Sequence, residues 1–296
     1  MEVVLIVNPF ASAVSNERVA AVERELGRAA TVWTHFTQRP GHGTELAAGS
    51  GEADAVVVLS GDGGFNEVLN GAPDGVPLGF LPGGGTSVLP RALGLPRDAT
   101  AAARRVADAL EAGRVRRITV GRVNGRRFGF SSGIGLDAEL VRRVDALGRR
   151  EDGKRPGDLA YLSAAAKLAG SRRARLEPAL EVRGHGRAAF ALVANTDPYT
   201  YAGRFAVHVS PEARFELGLD LVAPERVGPA DVPRLLRRAF SGSGLNGAKN
   251  LLYLHDLDRI EIACDRPLPL QADGEDLGDI EEAVFEAERD AIAVLI

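Results

Sequence analysis

The sequence is poor in cysteine, in lysine and in aromatic residues. Its single cysteine, Cys264, excludes an internal disulfide and a cysteine-based metal site. Aromatic residues make up only 5% of the chain, which argues against stacking platforms for unpaired bases. With 36 basic and 40 acidic residues the formal net charge is −4, so we expect no nucleic-acid partner.

Long apolar runs are also absent. No stretch approaches the roughly 18 apolar residues that a membrane-spanning helix needs, and the run at residues 3–7 is too short for a signal peptide. These absences predict a cytoplasmic protein whose contact with a membrane is peripheral. The hydrophobic content of 45% is nevertheless enough to bury real cores, and a length of 296 residues suggests two domains.

The first 120 residues alternate short apolar runs with helical patterns. This alternation predicts a mostly parallel sheet that is covered by helices on both faces. We assign residues 1–120 to this α/β domain. The predicted strands are 3–7, 31–36, 55–59 and 78–81, and the predicted helices are 18–26, 40–48, 65–70, 87–93 and 99–112.

After about residue 115 the pattern changes to short alternating strands that are separated by turns. The Asn124-Gly125 pair is a strong hairpin signal between two of them. We therefore predict an antiparallel sheet or β-sandwich domain over residues 121–289, and a final apolar strand, 290–296, that could return to either domain. The predicted strands are 116–123, 126–130, 179–182, 188–195, 219–223, 259–263 and 268–271, with helices at 136–148, 157–170 and 229–241.

Glycine-rich loops follow predicted strands of the first domain, at residues 8–12, 60–66 and 82–87. In an open parallel sheet, ligands bind beyond the carboxyl ends of the strands. Glycine turns let backbone N–H groups approach an anion there, and the following helix adds a favourable dipole. Two such loops predict a polyphosphate site. Asp62 would repel phosphates, so it fits a catalytic or metal-binding role better than direct phosphate binding.

Two other patterns point to different chemistry. Residues 133–138 match the G-x-G-x-x-A of dinucleotide binders but lie outside a βαβ unit. Residues 129–133 match the G-x-S-x-G of serine hydrolases, with Ser131 as nucleophile, although no spacing selects a histidine partner. The G-x-x-x-x-G-K-[ST] pattern of P-loop nucleoside triphosphatases is absent from the sequence.

Six ordered segments carry a resemblance to a known family. Residues 60–68, SGDGGFNEV, are similar to G-G-D-G-T-x-N-E-V, and residues 271–275 match Q-x-D-G-E. The chain thus resembles the diacylglycerol kinase catalytic domain of soluble bacterial lipid kinases, which are related to sphingosine and ceramide kinases. The remaining matches are residues 8–12 with N-P-x-S-G, 37–43 with T-x-x-P-G-H-A, 82–92 with P-x-G-T-x-N-x-x-A-R, and 133–138 with G-x-G-x-D-A.

The resemblance implies a fold and a reaction. The fold is an α/β domain like that of NAD kinases and phosphofructokinases, followed by a β-sandwich that binds the lipid substrate. The reaction is transfer of the γ-phosphate of ATP, with Mg²⁺, to the hydroxyl of a diacylglycerol-like lipid. A kinase of a soluble substrate such as NAD, and a weakened or inactive homologue, are the alternatives. A homodimer is compatible with the sequence.

The resemblance also assigns roles to residues. It implies that Glu275 is the proton acceptor and that Asp62 organises Mg²⁺ and water, with Asp273 as a second metal ligand. Together with the loop analysis, it predicts the following nucleotide-binding residues: Asn8, Pro9, Ser12, Thr37, Ser60, Gly61, Asp62, Gly63, Gly64, Asn66, Glu67, Gly84, Gly85 and Thr86.

The chain departs from the family pattern at phosphate-contacting positions. Gly64 stands in place of a threonine, Ser60 in place of a glycine, and Ser87 in place of an asparagine. Gly64 and Ser87 favour the weakened homologue among the alternatives, whereas the serine at 60 resembles the SGDG loops of sphingosine kinases. Separately, residues 142–175 contain 10 basic against 4 acidic side chains, which predicts peripheral docking of this segment on an anionic membrane.

Overall fold

A computed structural model of the chain describes residues 1–146 and 175–296. The chain divides into two compact units. The first comprises Met1–Ile118 together with Asp290–Ile296, and the second comprises Thr119–Arg289. The helix predicted at 157–170 lies outside the described residues.

The first unit alternates strands with helices. Its central strands are rich in β-branched residues and are buried on both faces, as is typical of a parallel sheet covered by helices. The elements are β1 (Glu2–Val7), α1 (Asn16–Leu26), β2 (Thr31–Phe36), α2 (His42–Ala48), β3 (Ala55–Ser60), α3 (Asp62–Gly71), β4 (Leu78–Pro82), α4 (Val88–Ala92) and α5 (Ala99–Glu111).

The strands of this unit form a parallel sheet in the order β4-β3-β1-β2. Because all of them run in the same direction, their carboxyl ends, and the loops that follow, lie at one edge. The end of the chain returns to the sheet, since Val294 pairs in parallel with Leu78. The backbone N–H of Leu295 also donates to the carbonyl of Leu78 at 2.9 Å.

Helices pack on both faces of this sheet. Helices α1 and α5 share a core with β1 and β3, to which Val22 and Val106 contribute fully buried side chains. On β4, Leu81 points into that core, so the neighbouring Phe80 points to the opposite face. There its ring meets Phe65 of α3 edge to face, with centroids 5.6 Å apart.

The second unit is built from antiparallel strands, and the predicted order of an α/β part followed by a β-rich part is confirmed. Its main strands pair in the order β14-β13-β10-β7-β15-β16. Strand β5 (Arg116–Val123) enters this unit. The other elements are β6 (Arg126–Phe128), β7 (Ser131–Ile134), α6 (Leu136–Ala146), β8 (Leu180–Val182), β9 (Gly186–Ala188), β10 (Ala191–Ala194), β11 (Thr200–Ala202), β12 (Phe205–Val207), β13 (Leu219–Pro224), α7 (Val232–Phe240), β14 (Leu251–Leu257), β15 (Arg259–Ala272) and β16 (Glu275–Val294).

Two tight hairpins shape this unit. Asn124 and Gly125 have φ angles of 48° and 90°, and Asp273 and Gly274 have φ angles of 50° and 77°. Positive φ at both central residues is the signature of a two-residue turn that matches the twist of antiparallel strands. The second hairpin places Glu275 at the first position of β16, directly opposite Ala272. No helix among the described residues is long and apolar enough to span a membrane.

Candidate active site

The loops that follow β1, β3 and β4 are bonded to one another at the carboxyl edge of the parallel sheet. The N–H of Asn8 donates to the carbonyl of Leu59 at 3.0 Å, and the N–H of Gly83 donates to the carbonyl of Ser60 at 2.7 Å. The N–H of Ala13 in turn donates to the carbonyl of Gly83 at 2.8 Å. The three glycine-rich segments of the sequence are therefore one connected structure.

Glycine is required where two of these loops cross. A Cβ atom on Gly84 would lie 2.8 Å from the Cα of Gly61, which is closer than real Cβ contacts allow. On Gly83, a Cβ atom would lie 3.0 Å from the backbone nitrogen of Ser60. Only residues without side chains let the two backbones approach this closely. At the rim, Gly85 is exposed and lies near the hydroxyl of Ser12.

Helix α3 begins inside the second loop. Its first turn contains Asp62, Gly63 and Gly64. The first N–H groups of a helix have no acceptor within the helix, and the helix dipole gives that end a partial positive charge. Because two of these residues have no side chain, a phosphate oxygen can approach their N–H groups closely.

Asp62 ties the second loop to the third. Its Oδ1 atom accepts a hydrogen bond from the N–H of Val88 at 2.7 Å and a longer one from Leu89 at 3.5 Å. These N–H groups open helix α4. The residue before them, Ser87, has a positive φ of 46°, and its hydroxyl accepts from the N–H of Gly84 at 3.2 Å. Asp62 thus fixes the position of the Gly84–Ser87 loop.

Ser60 and Gly64 occupy each other's space. A Cβ atom on Gly64 would lie 2.7 Å from the Cβ of Ser60 and closer still to its hydroxyl. A serine at 60 and a side chain at 64 therefore exclude each other in this backbone. The two departures from the family pattern are therefore sterically linked, and the serine keeps a hydroxyl in the loop. That hydroxyl is buried and has no hydrogen-bond partner among the described residues.

Two predicted nucleotide-binding residues of α3 have structural partners. The carboxylate of Glu67 accepts from the N–H of Gly41 at 2.8 Å and from that of Gly43 at 2.9 Å. These bonds hold the start of α2, the helix after the Thr37 loop. Asn66 is buried, and its side chain accepts from Asn70 at 3.2 Å. The sequence patterns did not distinguish residues that hold a neighbouring element in place from residues that contact a ligand.

The remaining predicted residues of the loops lie at the same edge. The side chain of Asn8 accepts from the N–H of Phe10 at 3.0 Å and so closes the first loop, while Pro9 is exposed. The N–H of Thr37 donates to the carbonyl of Val7 at 2.9 Å, which places it at the end of β2. The carbonyl of Thr86 accepts from Arg91 at 3.4 Å.

In the second unit, Asp273 is buried, and backbone N–H groups donate to its carboxylate. One oxygen accepts from the N–H of Gly129 at 2.6 Å, and the other accepts from Phe130 at 2.9 Å and Ser131 at 3.3 Å. Both oxygens are therefore engaged by the chain itself. This geometry makes Asp273 the anchor of the turn before Glu275 and speaks against the predicted role as a metal ligand.

A buried network that the sequence did not reveal supports the same turn. The carboxylate of Asp137 accepts from the hydroxyl of Tyr199 at 2.7 Å and from the amide of Gln271 at 2.6 Å. Burial raises the pKa of Asp137 and that of Tyr199. The other end of Gln271 accepts from the N–H of Gly274 at 2.9 Å. Asp137 and Gln271 lie in the segments at 133–138 and 271–275 that match the family pattern.

A resident Mg²⁺ site does not fit the donors present. Among residues 1–146 and 175–296, no three His, Cys, Asp or Glu side chains group together. Asp62 and Asp273 both direct carboxylate oxygens at backbone N–H groups, which compete with a cation. Because Mg²⁺ is usually held by substrate phosphates and one or two carboxylates, we treat it as part of the nucleotide substrate.

The serine hydrolase pattern gains no support from the geometry. Ser131 lies in β7, and the buried Asp273 accepts from its N–H. The two histidines of this unit that contact carboxylates do so elsewhere. His208 pairs with Asp197 at 2.7 Å, and His255 pairs with Asp220 at 2.8 Å.

Comparison with known proteins supports the pattern in both halves of the chain. A family model described as "Diacylglycerol kinase catalytic domain" matches residues 2–123. A second, described as "YegS C-terminal NAD kinase beta sandwich-like domain", matches residues 131–296. The diacylglycerol kinase of Bacillus subtilis (strain 168) is 31% identical over 251 residues, which cover 82% of this chain and 78% of that protein. The chain belongs to the diacylglycerol kinase catalytic-domain family. It is a kinase of the lipid kinase type.

Solved structures agree on the fold. A diacylglycerol kinase from Bacillus anthracis str. Sterne superposes with a TM-score of 0.72 at 18% identity, covering 99% of this chain and 96% of that one. An NAD kinase from Archaeoglobus fulgidus in complex with ATP gives a TM-score of 0.51 at 13% identity, covering 100% and 94%. These likenesses confirm the predicted NAD kinase-like fold.

Proposed function

We propose that this member of the diacylglycerol kinase family is an ATP-dependent lipid kinase that acts on a diacylglycerol-like alcohol. The observation that carries the proposal is the connected set of glycine loops around the N-terminus of α3. It combines the backbone N–H groups of two glycines, a helix dipole and a carboxylate, Asp62, within one loop system. Phosphoryl transfer needs this combination more than it needs covalent chemistry from the protein.

The proposed phosphate contacts are backbone donors. The N–H groups of Gly63 and Gly64 point from the first turn of α3, and the Gly84–Thr86 segment is held beside it by Asp62 and Ser87. Mg²⁺ arrives with the nucleotide and neutralises phosphate charge. Asp62 then acts in two ways: it shapes the third loop, and its negative charge selects for the magnesium complex over free ATP.

In the proposed reaction the lipid hydroxyl oxygen forms a bond to the γ-phosphorus. The bond between that phosphorus and the β,γ-bridging oxygen breaks, and ADP leaves. The hydroxyl proton passes to the carboxylate of Glu275. Positioning and charge neutralisation supply most of the rate, and a proton acceptor contributes roughly 10²–10⁴-fold.

The test is incubation of the full chain with [γ-³²P]ATP, Mg²⁺ and an extracted lipid pool. We expect label in the organic phase, and a diacylglycerol supplement should increase it. Label that remains in an aqueous product would instead identify a kinase of a soluble substrate. An absence of labelled product under these conditions would identify an inactive homologue.

Two variants test the proposed roles. Glu275→Gln should lower kcat by roughly 10²–10⁴-fold with little change in the KM for ATP, because only the proton acceptor is lost. Asp62→Asn should abolish turnover, because it weakens both the third loop and the charge balance at the phosphates. Glu281→Gln, an exposed position on the same strand as Glu275, is the matched control. Near-normal turnover of Glu275→Gln would refute its role.

A further inference from the structure

Helix α7 presents an apolar face to solvent. Pro233, Leu236, Arg237 and Phe240 follow the i, i+3, i+4, i+7 spacing of one helical face, and all four are exposed. Leu236 is 46% exposed and Phe240 is 42% exposed. Solvent-facing positions of a helix normally carry polar residues, so this face is unusual for a part of the protein that only meets water.

The fold does not need this face for its own packing. The opposite side of α7 anchors the helix: Ala239 is buried, and Val232 and Leu235 pack against the core that contains Val209. The carbonyl of Gly244 also accepts from Arg238 at 2.9 Å, which holds the end of the helix. The packing of α7 against its unit therefore does not involve the apolar residues on its outer face.

A hairpin that is hydrogen-bonded to the helix also carries an exposed apolar side chain. The N–H of His208, at the end of β12, donates to the carbonyl of Ala239 in α7 at 2.8 Å. The hairpin formed by β11 and β12 carries Phe205, whose side chain is 56% exposed. The guanidinium carbon of Arg204 lies 5.0 Å from the centre of the Phe205 ring. The hairpin that is bonded to the helix therefore carries a third exposed large apolar side chain and a cation.

The charges of this surface have one sign. Arg204 and Arg237 are exposed and take part in no ion pair among the described residues, whereas Arg234 pairs with Asp231 at 2.6 Å. Exposed apolar side chains with interspersed arginines are the composition of helices that lie in the interface of an anionic bilayer.

We propose that Arg204, Phe205, Leu236, Arg237 and Phe240, here named the α7 surface, dock the protein on an anionic phospholipid bilayer. The apolar side chains enter the boundary between headgroups and acyl chains, and the arginines bind lipid phosphates. This inference rests on the proposed function, because a diacylglycerol-like substrate resides in the bilayer. The docking predicted for the segment at 142–175, most of which lies outside the described residues, stays a separate prediction.

The experiment is co-sedimentation of the full chain with vesicles of phosphatidylglycerol and phosphatidylcholine, and with vesicles of phosphatidylcholine alone. Wild-type protein should bind the anionic vesicles, and rising salt should weaken that binding. Arg204→Gln/Arg237→Gln should lower affinity for the anionic vesicles by at least about fivefold. Leu236→Ser/Phe240→Ser should lower it by at least about tenfold.

Arg105→Gln and Val115→Ser, an exposed arginine and an exposed valine of the first unit, are the matched controls and should bind as wild type does. Unfolding temperatures close to wild type would show that the exposed substitutions leave the fold intact. Equal binding by the wild type and both double variants, or equal binding to neutral and anionic vesicles, would overturn the proposal.

The docking proposal and the kinase proposal fail separately. With diacylglycerol in detergent micelles, the double variants should phosphorylate lipid at the wild-type rate, and they should lose activity only when the lipid is in anionic vesicles. Activity lost equally in micelles and vesicles would place the α7 surface in the catalytic step and overturn the docking role. Vesicle binding without any kinase activity would leave docking intact and refute the proposed reaction.

Discussion

At the residue scale, the side chain of Ser60 decides which residues position 64 of the same loop can hold. The hydroxyl that relatives carry at position 64 has no room here, since a Cβ at that position would meet Ser60. The buried Ser60 hydroxyl stands beside the N-terminus of α3 instead. We therefore interpret this pair as a relocation of the hydroxyl rather than as the decay of a catalytic loop.

Exchanging the pair tests that interpretation. Gly64→Thr alone should destabilise the protein by about 1–3 kcal/mol, because it overpacks the loop against Ser60. Ser60→Gly/Gly64→Thr should recover most of that stability and retain kinase activity, since the steric conflict is gone. Denaturant unfolding of the wild type, both single variants and the double variant measures the coupling. Strictly additive effects on the free energy of unfolding would contradict the steric account.

His255 provides a residue-level prediction about pH. Its hydrogen bond to Asp220 raises the pKa of the histidine above its usual value of 6.5. A histidine with a raised folded-state pKa stabilises the fold fully below its unfolded pKa, and this contribution disappears as pH rises through the folded pKa. The stability difference between wild type and His255→Gln should thus be largest below pH 6.5 and shrink at alkaline pH.

Thermal unfolding across a pH series measures this difference. His185→Gln, which changes an exposed histidine of the same unit, is the control and should show no such trend. A difference between wild type and His255→Gln that stays constant from acid to alkaline pH would contradict the role assigned to the Asp220 pair.

Residue identities were predicted more easily than residue roles. The motif that contains Asp273 was visible in the sequence, but the N–H groups that surround its carboxylate come from residues 129–131, on another strand. Likewise, Glu67 was expected at the nucleotide, whereas its partners lie at the start of α2. A single sequence contains no information on which distant backbone donors will reach a carboxylate.

At the level of helices and strands, helix starts set the geometry of the loops. Helix α3 was predicted to begin at 65, yet it begins at Asp62. The discrepancy has a physical origin: glycines 63 and 64 have low intrinsic helix propensity, and contacts between the loops override it. Similarly, the strands predicted at 259–263 and 268–271 are one strand, β15, whose pairing shifts in register between Ala263 and Leu268.

The hydrogen bonds that Glu67 accepts at the start of α2 can be tested by mutation. Glu67→Ala removes the acceptor for the N–H groups of Gly41 and Gly43, and should cost about 1–3 kcal/mol of unfolding free energy. The loop that carries Thr37 should loosen with the helix, which would raise the KM for ATP. Glu52→Ala, at an exposed position of the same unit, should change neither quantity. Wild-type stability of Glu67→Ala would show that the helix start is held by other contacts.

At the level of the whole molecule, the end of the chain completes the first unit. Val294 and Leu295 are almost fully buried there, beside β4. The sequence predicted an apolar terminal strand, because its residues are apolar throughout. The sequence did not identify its partner, since an apolar strand fits the edge of either sheet, and only the pairing with Leu78 decides between them.

Truncation after Arg289 tests this arrangement. Loss of the buried side chains of Ile292, Val294 and Leu295 should lower the free energy of unfolding by about 4.5–9 kcal/mol, at about 1.5–3 kcal/mol for each. Deletion of Ile296 alone, which is only partly buried, is the control and should have a small effect. Urea unfolding followed by tryptophan fluorescence reports on the first unit, because Trp33 lies in β2. Unchanged unfolding of the truncated chain would contradict the account.

The central claim is that the loops after β1, β3 and β4 bind the phosphates of a nucleotide. The most direct measurement is a crystal structure of the chain with Mg²⁺ and a non-hydrolysable ATP analogue. Phosphate oxygens should lie within hydrogen-bond distance of the backbone N–H groups at Gly63 and Gly64, with the Gly84–Thr86 segment alongside. Triphosphate density at any other place on the chain would contradict it.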